Sequence, residues 1–153
     1  MDSAISWNTL LSQWHYLFAY FCPLFMFAVF LNSLSITRSV EMCKQVGFPP
    51  KRPVGAGSSS QKQQQTSPTR LDPFFYLFAQ RCFGIGLMLT ILEACGEWRA
   101  VSVMLGCMCV NGVRDGWLVL TDGEGGVGKA FAAHWGITIV GACSTWRLWA
   151  EHW

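Results

Sequence analysis

Four apolar runs, each long enough to cross a membrane, constrain this chain more than any other feature. A bilayer core requires about 20 mainly apolar residues in a helix. The runs lie at residues 14–34, 74–95, 100–120 and 130–149. Only 13% of all residues are charged, and Arg81 is the single charge between Asp72 and Glu93. The pattern predicts an all-α integral membrane protein, a single domain over residues 1–153 in which four helices form a bundle.

The segment between the first two runs has the opposite composition. Residues 47–70 are rich in Pro, Gly, Ser and Gln and contain almost nothing that a core would bury. We therefore expect a long, flexible polar loop between helices 1 and 2. The piece just before it, residues 37–46, is expected to form a short interfacial helix. The two later turns are short, which makes the helices they join antiparallel neighbours.

Basic residues are distributed unequally between the two sides of the predicted bundle. The first and third loops contain Arg38, Lys44, Lys51, Arg52, Lys62, Arg70 and Lys129. The opposite side has only Arg99 and Arg147. Cytosolic loops of membrane proteins carry the excess of Lys and Arg. We therefore expect a multi-pass protein of the endoplasmic reticulum whose long loop is cytosolic and whose termini are lumenal.

Charge and spacing disfavour several other classes of protein. A net charge of +2 without a basic stripe does not suggest a nucleic-acid partner. Residues 123–129 read GEGGVGK and partly match a phosphate-binding loop, but Ala130 stands where Ser or Thr should hold magnesium. The seven cysteines have no spacing typical of a zinc site. We expect no nucleotide, no metal and no cofactor.

Polar side chains inside the predicted spans are the candidate functional residues. An ionisable group at the centre of a membrane helix costs roughly 2.5–3.5 kcal/mol and needs a partner or a task. Counting about 1.5 Å per residue places Arg81, Asp115 and His134 at one depth near the cytosolic side. Asn32 lies in the same layer, and Asn111 shares a helix face with Asp115. We expect these residues to meet in a polar pocket that opens toward the cytosol.

Other polar residues have simpler interpretations. Arg114 either shares the face of Asn111 or extends to the lipid phosphates. Glu93 and Glu97 lie at a helix end, where charged residues are ordinary, although Glu93 is deep enough to merit a test as a substrate contact. His15 starts the first span among aromatic residues and is expected at the membrane interface.

Glycine spacing suggests one close helix contact. Gly112 and Gly116 are four residues apart within the third run. Small residues at this spacing allow two membrane helices to approach each other closely. We therefore expect this face to pack against a neighbouring helix rather than to take part in chemistry.

A set of small motifs extends over residues 44–150. It comprises Gly47-Phe48-Pro49, QRCFGIGL around Arg81, Arg99, Asp115, and His134 with Gly136 and Gly141. The combination resembles the DoxX-like family of small four-helix membrane proteins of fungi and bacteria, which are mostly of unknown function. In that family Arg, Asp and His recur at these places, whereas the long polar loop departs from its pattern.

The resemblance implies a function in secondary metabolism. Small fungal membrane proteins of this kind accompany polyketide and terpenoid pathways, where they are associated with hydrolysis, isomerisation or cyclisation of lipophilic intermediates, including epoxides. We therefore expect an enzyme that hydrolyses or rearranges a lipophilic epoxide in the bilayer by cofactor-free acid–base chemistry. Asn32, Glu93 and Arg114 would contact the substrate. The oligomeric state stays open.

Each catalytic role in this hypothesis follows from the chemistry of the residue. Asp115 would activate a water molecule that Asn111 positions, and Arg81 would orient Asp115 and keep it ionised. His134 would protonate the departing oxygen. The alternative is a non-catalytic membrane subunit or lipid-binding protein in which an Arg81–Asp115 ion pair only fastens two helices.

Overall fold

A computed structural model describes residues 12–45, 73–123 and 127–153, and these residues form five helices. They are α1 (Trp14–Ser33), α2 (Ile36–Gln45), α3 (Pro73–Ala94), α4 (Trp98–Thr121) and α5 (Lys129–His152). Within the described ranges no residue is in a strand, so the predicted all-helical class is confirmed. The predicted polar loop, residues 47–70, lies outside the described residues.

Three of these helices are long and apolar enough to cross a membrane, namely α1, α3 and α4. The sequence predicted a fourth span, and α5 does form a helix there but is not among the three. Length does not separate it, because α4 and α5 both have 24 residues. The apolar stretch of α5 is short, because His134 precedes it and Ser144, Thr145 and Arg147 follow it.

Large apolar side chains cover much of the outer surface of the four long helices. Leu24, Leu31, Leu77, Val110 and Ile139 are examples that are mostly exposed. A protein dissolved in water seldom exposes apolar surface so continuously. The outward apolar faces agree with helices whose solvent is lipid.

The four long helices pack as two antiparallel pairs. In the first pair, Phe30 of α1 meets Phe83 of α3 with ring centroids 4.8 Å apart. The second pair, α4 with α5, has the most extensive contact of all, and α1 packs on α5 to join the pairs. By contrast, α3 and α4 have little contact with each other, although a short turn connects them.

Glycines set the contact between α4 and α5. A Cβ atom at Gly112 would lie 2.5 Å from Thr138 Oγ1, and one at Gly116 would lie 2.9 Å from Trp135 Nε1. Real Cβ atoms essentially never approach so closely, so a larger residue at either position requires the Thr138 or Trp135 side chain, or α5 itself, to shift. The close helix contact predicted from the spacing of these glycines is confirmed.

A tight turn joins α3 to α4. Gly96 has a φ of 73°, and its N–H donates to the carbonyl oxygen of Glu93 while the Glu97 N–H donates to that of Leu92. This pair of bonds is the Schellman pattern, in which glycine adopts the left-handed conformation after a helix end. We call this end of the bundle, with the starts of α1 and α4 and the ends of α3 and α5, the turn end.

The opposite end of the bundle, which we call the loop end, has the ends of α1 and α4, the starts of α3 and α5, and α2. Here α2 packs on α1, and Ser39 donates its hydroxyl hydrogen to backbone carbonyls of α1. The main hydrophobic core lies nearer the turn end and comprises Ala19, Cys22, Leu89, Val101, Leu105 and Leu148. The turn end is therefore the more tightly packed half of the described structure.

Candidate functional site

A hydrogen-bonded group of polar side chains lies at the turn end. His15 is in the first turn of α1 and is only 1% exposed. Its Nε2 is 3.0 Å from Oε2 of Glu151, in the last turn of α5. The Tyr16 hydroxyl donates to the same carboxylate oxygen over 3.1 Å. Antiparallel packing of α1 on α5 brings these residues together although they are at opposite ends of the chain.

The group extends to the start of α4. The Tyr16 hydroxyl oxygen is 2.8 Å from His152 Nε2. Arg99 Nε donates to the backbone oxygen of His152 over 2.6 Å, and the Trp98 ring stacks on the His152 ring. Three helices thus contribute to one connected set of polar groups. We call His15, Tyr16, Arg99, Glu151 and His152 the turn-end network.

Proton positions in the network follow from what each group can donate. An ionised carboxylate only accepts hydrogen bonds, so His15 carries its proton on Nε2. In a neutral imidazole the other nitrogen, Nδ1, is then the basic one. His15 Nδ1 is enclosed and has no hydrogen-bond partner among the described residues. The hydroxyl of Ser144 donates to the His15 carbonyl oxygen over 2.9 Å and fixes the start of α1 on α5.

Glu151 lies just beyond the predicted fourth span and is held in its ionised form. The hydrogen bond from His15 is the main cause that lowers the pKa of Glu151 below its ordinary value of 4.5. Partial burial opposes this effect, and the hydrogen bond from Tyr16 adds to it. Arg147, four residues earlier on the same helix, places Nη2 3.2 Å from Oε1. The carboxylate therefore bears a full charge at neutral pH.

The residues predicted as catalytic lie toward the loop end, and no hydrogen bond or ion pair joins them. Arg81 and Asp115 are both exposed, and His134 is half-buried. Among the described residues, none of these three side chains has a hydrogen bond or an ion pair. The expected Arg81–Asp115 pair is therefore not formed. Counting gave their depth along the helices but not the direction in which each side chain points.

The rotation of α4 explains why the predicted pocket is not formed. Gly112 and Gly116 face α5, and Asn111 and Asp115 each precede one of these glycines by one position. Successive residues on a helix point about 100° apart. Asn111, Asp115 and also Arg114 are consequently exposed.

The three predicted substrate contacts are separated as well. Arg114 is exposed toward the loop end, and Asn32 is half-buried near the end of α1. Glu93 is at the other end of the bundle, and only 9% of it is exposed. The interpretation of Glu93 as an ordinary solvated charge at a helix end is therefore wrong, because the residue is on the core-facing side of α3.

Sequence reasoning missed Tyr16, Glu151 and His152. A usable signal was present, because a four-span topology with both termini on one side brings the first and last residues of the bundle to the same surface. His15 was expected at the interface and does lie at a helix end, but it is buried. Within the described parts of the chain, no group of three or more His, Cys, Asp or Glu residues is arranged to hold a metal ion.

A shallow apolar groove of about 320 Å³ lies between α4 and α5. Its lining residues are Gly106, Cys109, Ala142, Thr145, Trp146 and Trp149. The Trp149 ring stacks on that of Trp153, and the guanidinium of Arg99 lies 5.4 Å from the Trp153 ring centroid. Stacked aromatic rings therefore connect the groove with the turn-end network.

Fold and polar network together define an all-helical protein with three helices of membrane-spanning character. The family model described as "Domain of unknown function (DUF4267)" matches residues 26–149, and the chain belongs to this family. No curated protein and no solved structure matches the chain. Arg81, Asp115 and His134 lie inside the matched range. Of the turn-end network only Arg99 does, since its other four members are at positions 15, 16, 151 and 152.

Proposed function

We propose that the chain is a multi-pass membrane enzyme that performs cofactor-free acid–base chemistry on a lipophilic small molecule at the turn end. The observation that carries the proposal is the contact between the buried His15 and the Glu151 carboxylate. A carboxylate behind a histidine fixes the tautomer of the ring and stabilises the imidazolium that forms when the ring takes up a proton. His15 Nδ1 is then the general base.

The remaining members of the network support this base. With its own proton directed to Glu151, the Tyr16 hydroxyl oxygen accepts a hydrogen bond from His152 Nε2. These two hydrogen bonds fix which atom of each of these residues carries the proton. Since Nδ1 is enclosed, substrate reaches it only after neighbouring side chains rearrange, and catalytic hydrogen bonds often form fully only in the complex.

A lipophilic epoxide of polyketide or terpenoid type is the substrate class that we propose. Opening an epoxide requires a base for the incoming oxygen and an acid for the departing one. The apolar groove beside α4 and α5, with its tryptophans, suits a substrate that arrives from the bilayer. Hydrolysis gives a diol, whereas attack by a hydroxyl of the substrate gives a cyclised product.

The proposed topology uses α5 as a fourth span. Ile137, Ile139 and Val140 are apolar and exposed, and they would face lipid. The unequal distribution of basic residues would then place the loop end in the cytosol and the turn end at the lumenal face of the endoplasmic reticulum.

Oxygen-18 labelling tests the proposal. Membranes containing the protein are incubated with a panel of lipophilic epoxides in oxygen-18 water, and products are identified by mass spectrometry. We expect Glu151→Gln to lower turnover by about 100-fold or more, the typical contribution of general acid–base catalysis. Glu97→Gln, the same change at an exposed carboxylate of the turn end, is the control and should retain wild-type turnover.

Each outcome has a distinct meaning. Label in a diol indicates hydrolysis, and conversion without label indicates isomerisation or cyclisation. Asp115→Asn tests the competing site at the loop end. If Asp115→Asn abolishes turnover while Glu151→Gln does not, the catalytic site is at the loop end and our placement is wrong.

A non-catalytic membrane subunit is the second candidate. It is favoured by the way the network ties helix ends together, because His15 on α1 and Arg99 on α4 both bond to α5. In this case the wild type converts no epoxide of the panel, and Glu151→Gln lowers thermal stability.

A further inference from the structure

Glu93 has a largely buried side chain whose carboxyl group has no hydrogen-bond partner among the described residues. Its Oε1 is fully enclosed and has no hydrogen-bond partner. The other carboxyl oxygen has no hydrogen bond among the described residues either, but it is not enclosed. Buried polar groups are normally hydrogen-bonded, and an exception needs an explanation.

The packing of α1 on α3 places Glu93 close in level to the turn-end network. A Cβ at Gly86 would lie 3.1 Å from Met26 Cβ, which fixes the antiparallel alignment of the two helices. Glu93 is seven residues after Gly86 on α3, and Ala19 is seven residues before Met26 on α1. In this antiparallel pair Glu93 therefore lies opposite Ala19, which is fully buried. His15 is one turn further along α1, about 6 Å along its axis. Leu89, one turn before Glu93, belongs to the core and shares its face.

The cations of the turn end are engaged elsewhere. Arg99 donates to the His152 carbonyl and lies over the Trp153 ring. Arg147 pairs with Glu151. Among the described residues Glu93 therefore has no counter-ion, and an ionised carboxylate without a partner is costly in a membrane protein interior. The neutral acid avoids this cost and leaves a hydrogen-bond donor directed into the bundle.

We propose that Glu93 is a neutral carboxylic acid that binds an oxygen atom of the lipophilic ligand by donating a hydrogen bond to it. Ligands that can be bound in this way are ethers, epoxides, carbonyl compounds and alcohols. This binding proposal does not depend on the proposed function. Only the following step, in which Glu93 is the catalytic acid, rests on the proposed function.

In that step Glu93 gives its proton to the epoxide oxygen as the breaking C–O bond leaves its electron pair there. The attacking water forms the new C–O bond and loses a proton to His15 Nδ1. Transfer of that proton from His15 back to Glu93 restores both groups. Acid and base are thus on the neighbouring helices α3 and α1, about one helical turn apart in level.

A hydrophobic carbodiimide tests the protonation state without any substrate. Dicyclohexylcarbodiimide adds across the O–H of a neutral carboxyl group and rearranges to a stable N-acylurea, which adds the whole reagent mass. Full-length protein in membranes is treated at pH 7 and its peptides are analysed by mass spectrometry. An ordinary exposed glutamate is almost entirely ionised at this pH, so we expect Glu93 to be modified about tenfold or more faster than Glu97.

The ligand-binding part is tested by protection. The probe is 1,2-epoxydodecane, and dodecane, which lacks the oxygen, is the matched control. We expect the epoxide to slow modification of Glu93 about threefold or more, a range that corresponds to partial occupancy of a weak site. Dodecane should have no such effect. Glu93→Gln must remove the modified peptide and confirms the assignment.

Several results would overturn the proposal. If Glu93 is not modified, or is modified no faster than Glu97, its carboxyl group is ionised or already has a partner. Equal protection by epoxydodecane and dodecane means that no oxygen atom is bound there. Both readouts are independent of turnover, so a fully active Glu151→Gln variant would refute the proposed function while leaving the Glu93 proposal standing.

Discussion

Polar residues near the two ends of this bundle differ in what surrounds them. At the turn end, five residues from α1, α4 and α5 share hydrogen bonds, and the central carboxylate accepts two of them. Toward the loop end, Arg81, Asp115 and His134 lie at a similar depth, but their side chains form no hydrogen bond with other described residues. The difference shows that a shared depth does not make a site. The rotation of each helix decides which side chains meet.

The family match covers the two ends of the molecule unequally. The matched range, residues 26–149, contains the isolated residues and excludes most of the network. Glu93 and Arg99 also lie inside the matched range, so family membership does not choose between the two ends. Both ends must be tested with the same kind of substitution.

The largest expected difference in stability is between Glu151→Ala and Asp115→Ala. Removal of Glu151 leaves the buried His15 and the Tyr16 hydroxyl without their acceptor, which costs about 1–3 kcal/mol. Removal of Asp115 breaks no hydrogen bond and should change stability by less than about 0.5 kcal/mol. Thermal unfolding of both variants in one detergent measures this. Equal losses would mean that Asp115 makes a stabilising contact in the folded protein, and would contradict its lack of a partner among the described residues.

Much of the fold was predictable because helix length and depth follow from one-dimensional patterns. The second run was predicted at 74–95, and α3 spans Pro73–Ala94. The fourth run was predicted to end at 149 because apolarity stops there, yet α5 continues to His152. Arg147 and Glu151 are four residues apart on α5 and form an ion pair, which supports the last turn of the helix.

The site itself was not predictable by the same means. Hydropathy and the depth of a residue along its helix contain no information on how α4 is rotated about its own axis. Only the glycine pair held such information, because it identified the face of α4 that meets α5. Asn111 and Asp115 each precede one of these glycines by one position. The same observation therefore predicts that neither residue faces α5.

Glycine substitutions test what orients α4. Gly112→Ala should destabilise the protein by about 1–2 kcal/mol, because its Cβ would overlap Thr138 and force α5 away. Gly136→Ala is the control, since a Cβ there meets nothing within 4 Å. It should be neutral or stabilising by up to about 1 kcal/mol, as alanine is the better helix former. A Gly112→Ala variant as stable as Gly136→Ala would refute the close contact.

Double-mutant cycles compare pairing at the two ends directly. Tyr16→Phe combined with Glu151→Gln should show a coupling free energy of about 0.5–1.5 kcal/mol, because the two side chains share a hydrogen bond. Arg81→Gln combined with Asp115→Asn should be additive within about 0.5 kcal/mol. Strong coupling in the second cycle would restore the ion pair expected from the sequence and would contradict the separation observed between these residues.

The smallest expected effect is the response of the turn end to acid. A carboxylate whose pKa is lowered in the folded state stabilises the protein above its ordinary pKa, here 4.5, and this contribution is lost as the pH falls through the lowered value. The stability advantage that the wild type gains over Glu151→Gln from the ionised carboxylate should therefore be present at about pH 5 and decline below 4.5. Thermal unfolding at a series of pH values measures it.

The hydrogen-bond donors to Glu151 give this acid response an internal control. His15 is the main cause of the lowered pKa of Glu151, and Tyr16 contributes less. His15→Phe should therefore move the decline toward pH 4.5 more than Tyr16→Phe does, because it removes the stronger donor. An advantage over Glu151→Gln that grows as the pH falls below 4.5 would mean that the network holds the protonated acid. The base that we assign to His15 Nδ1 would then lose the carboxylate on which it depends.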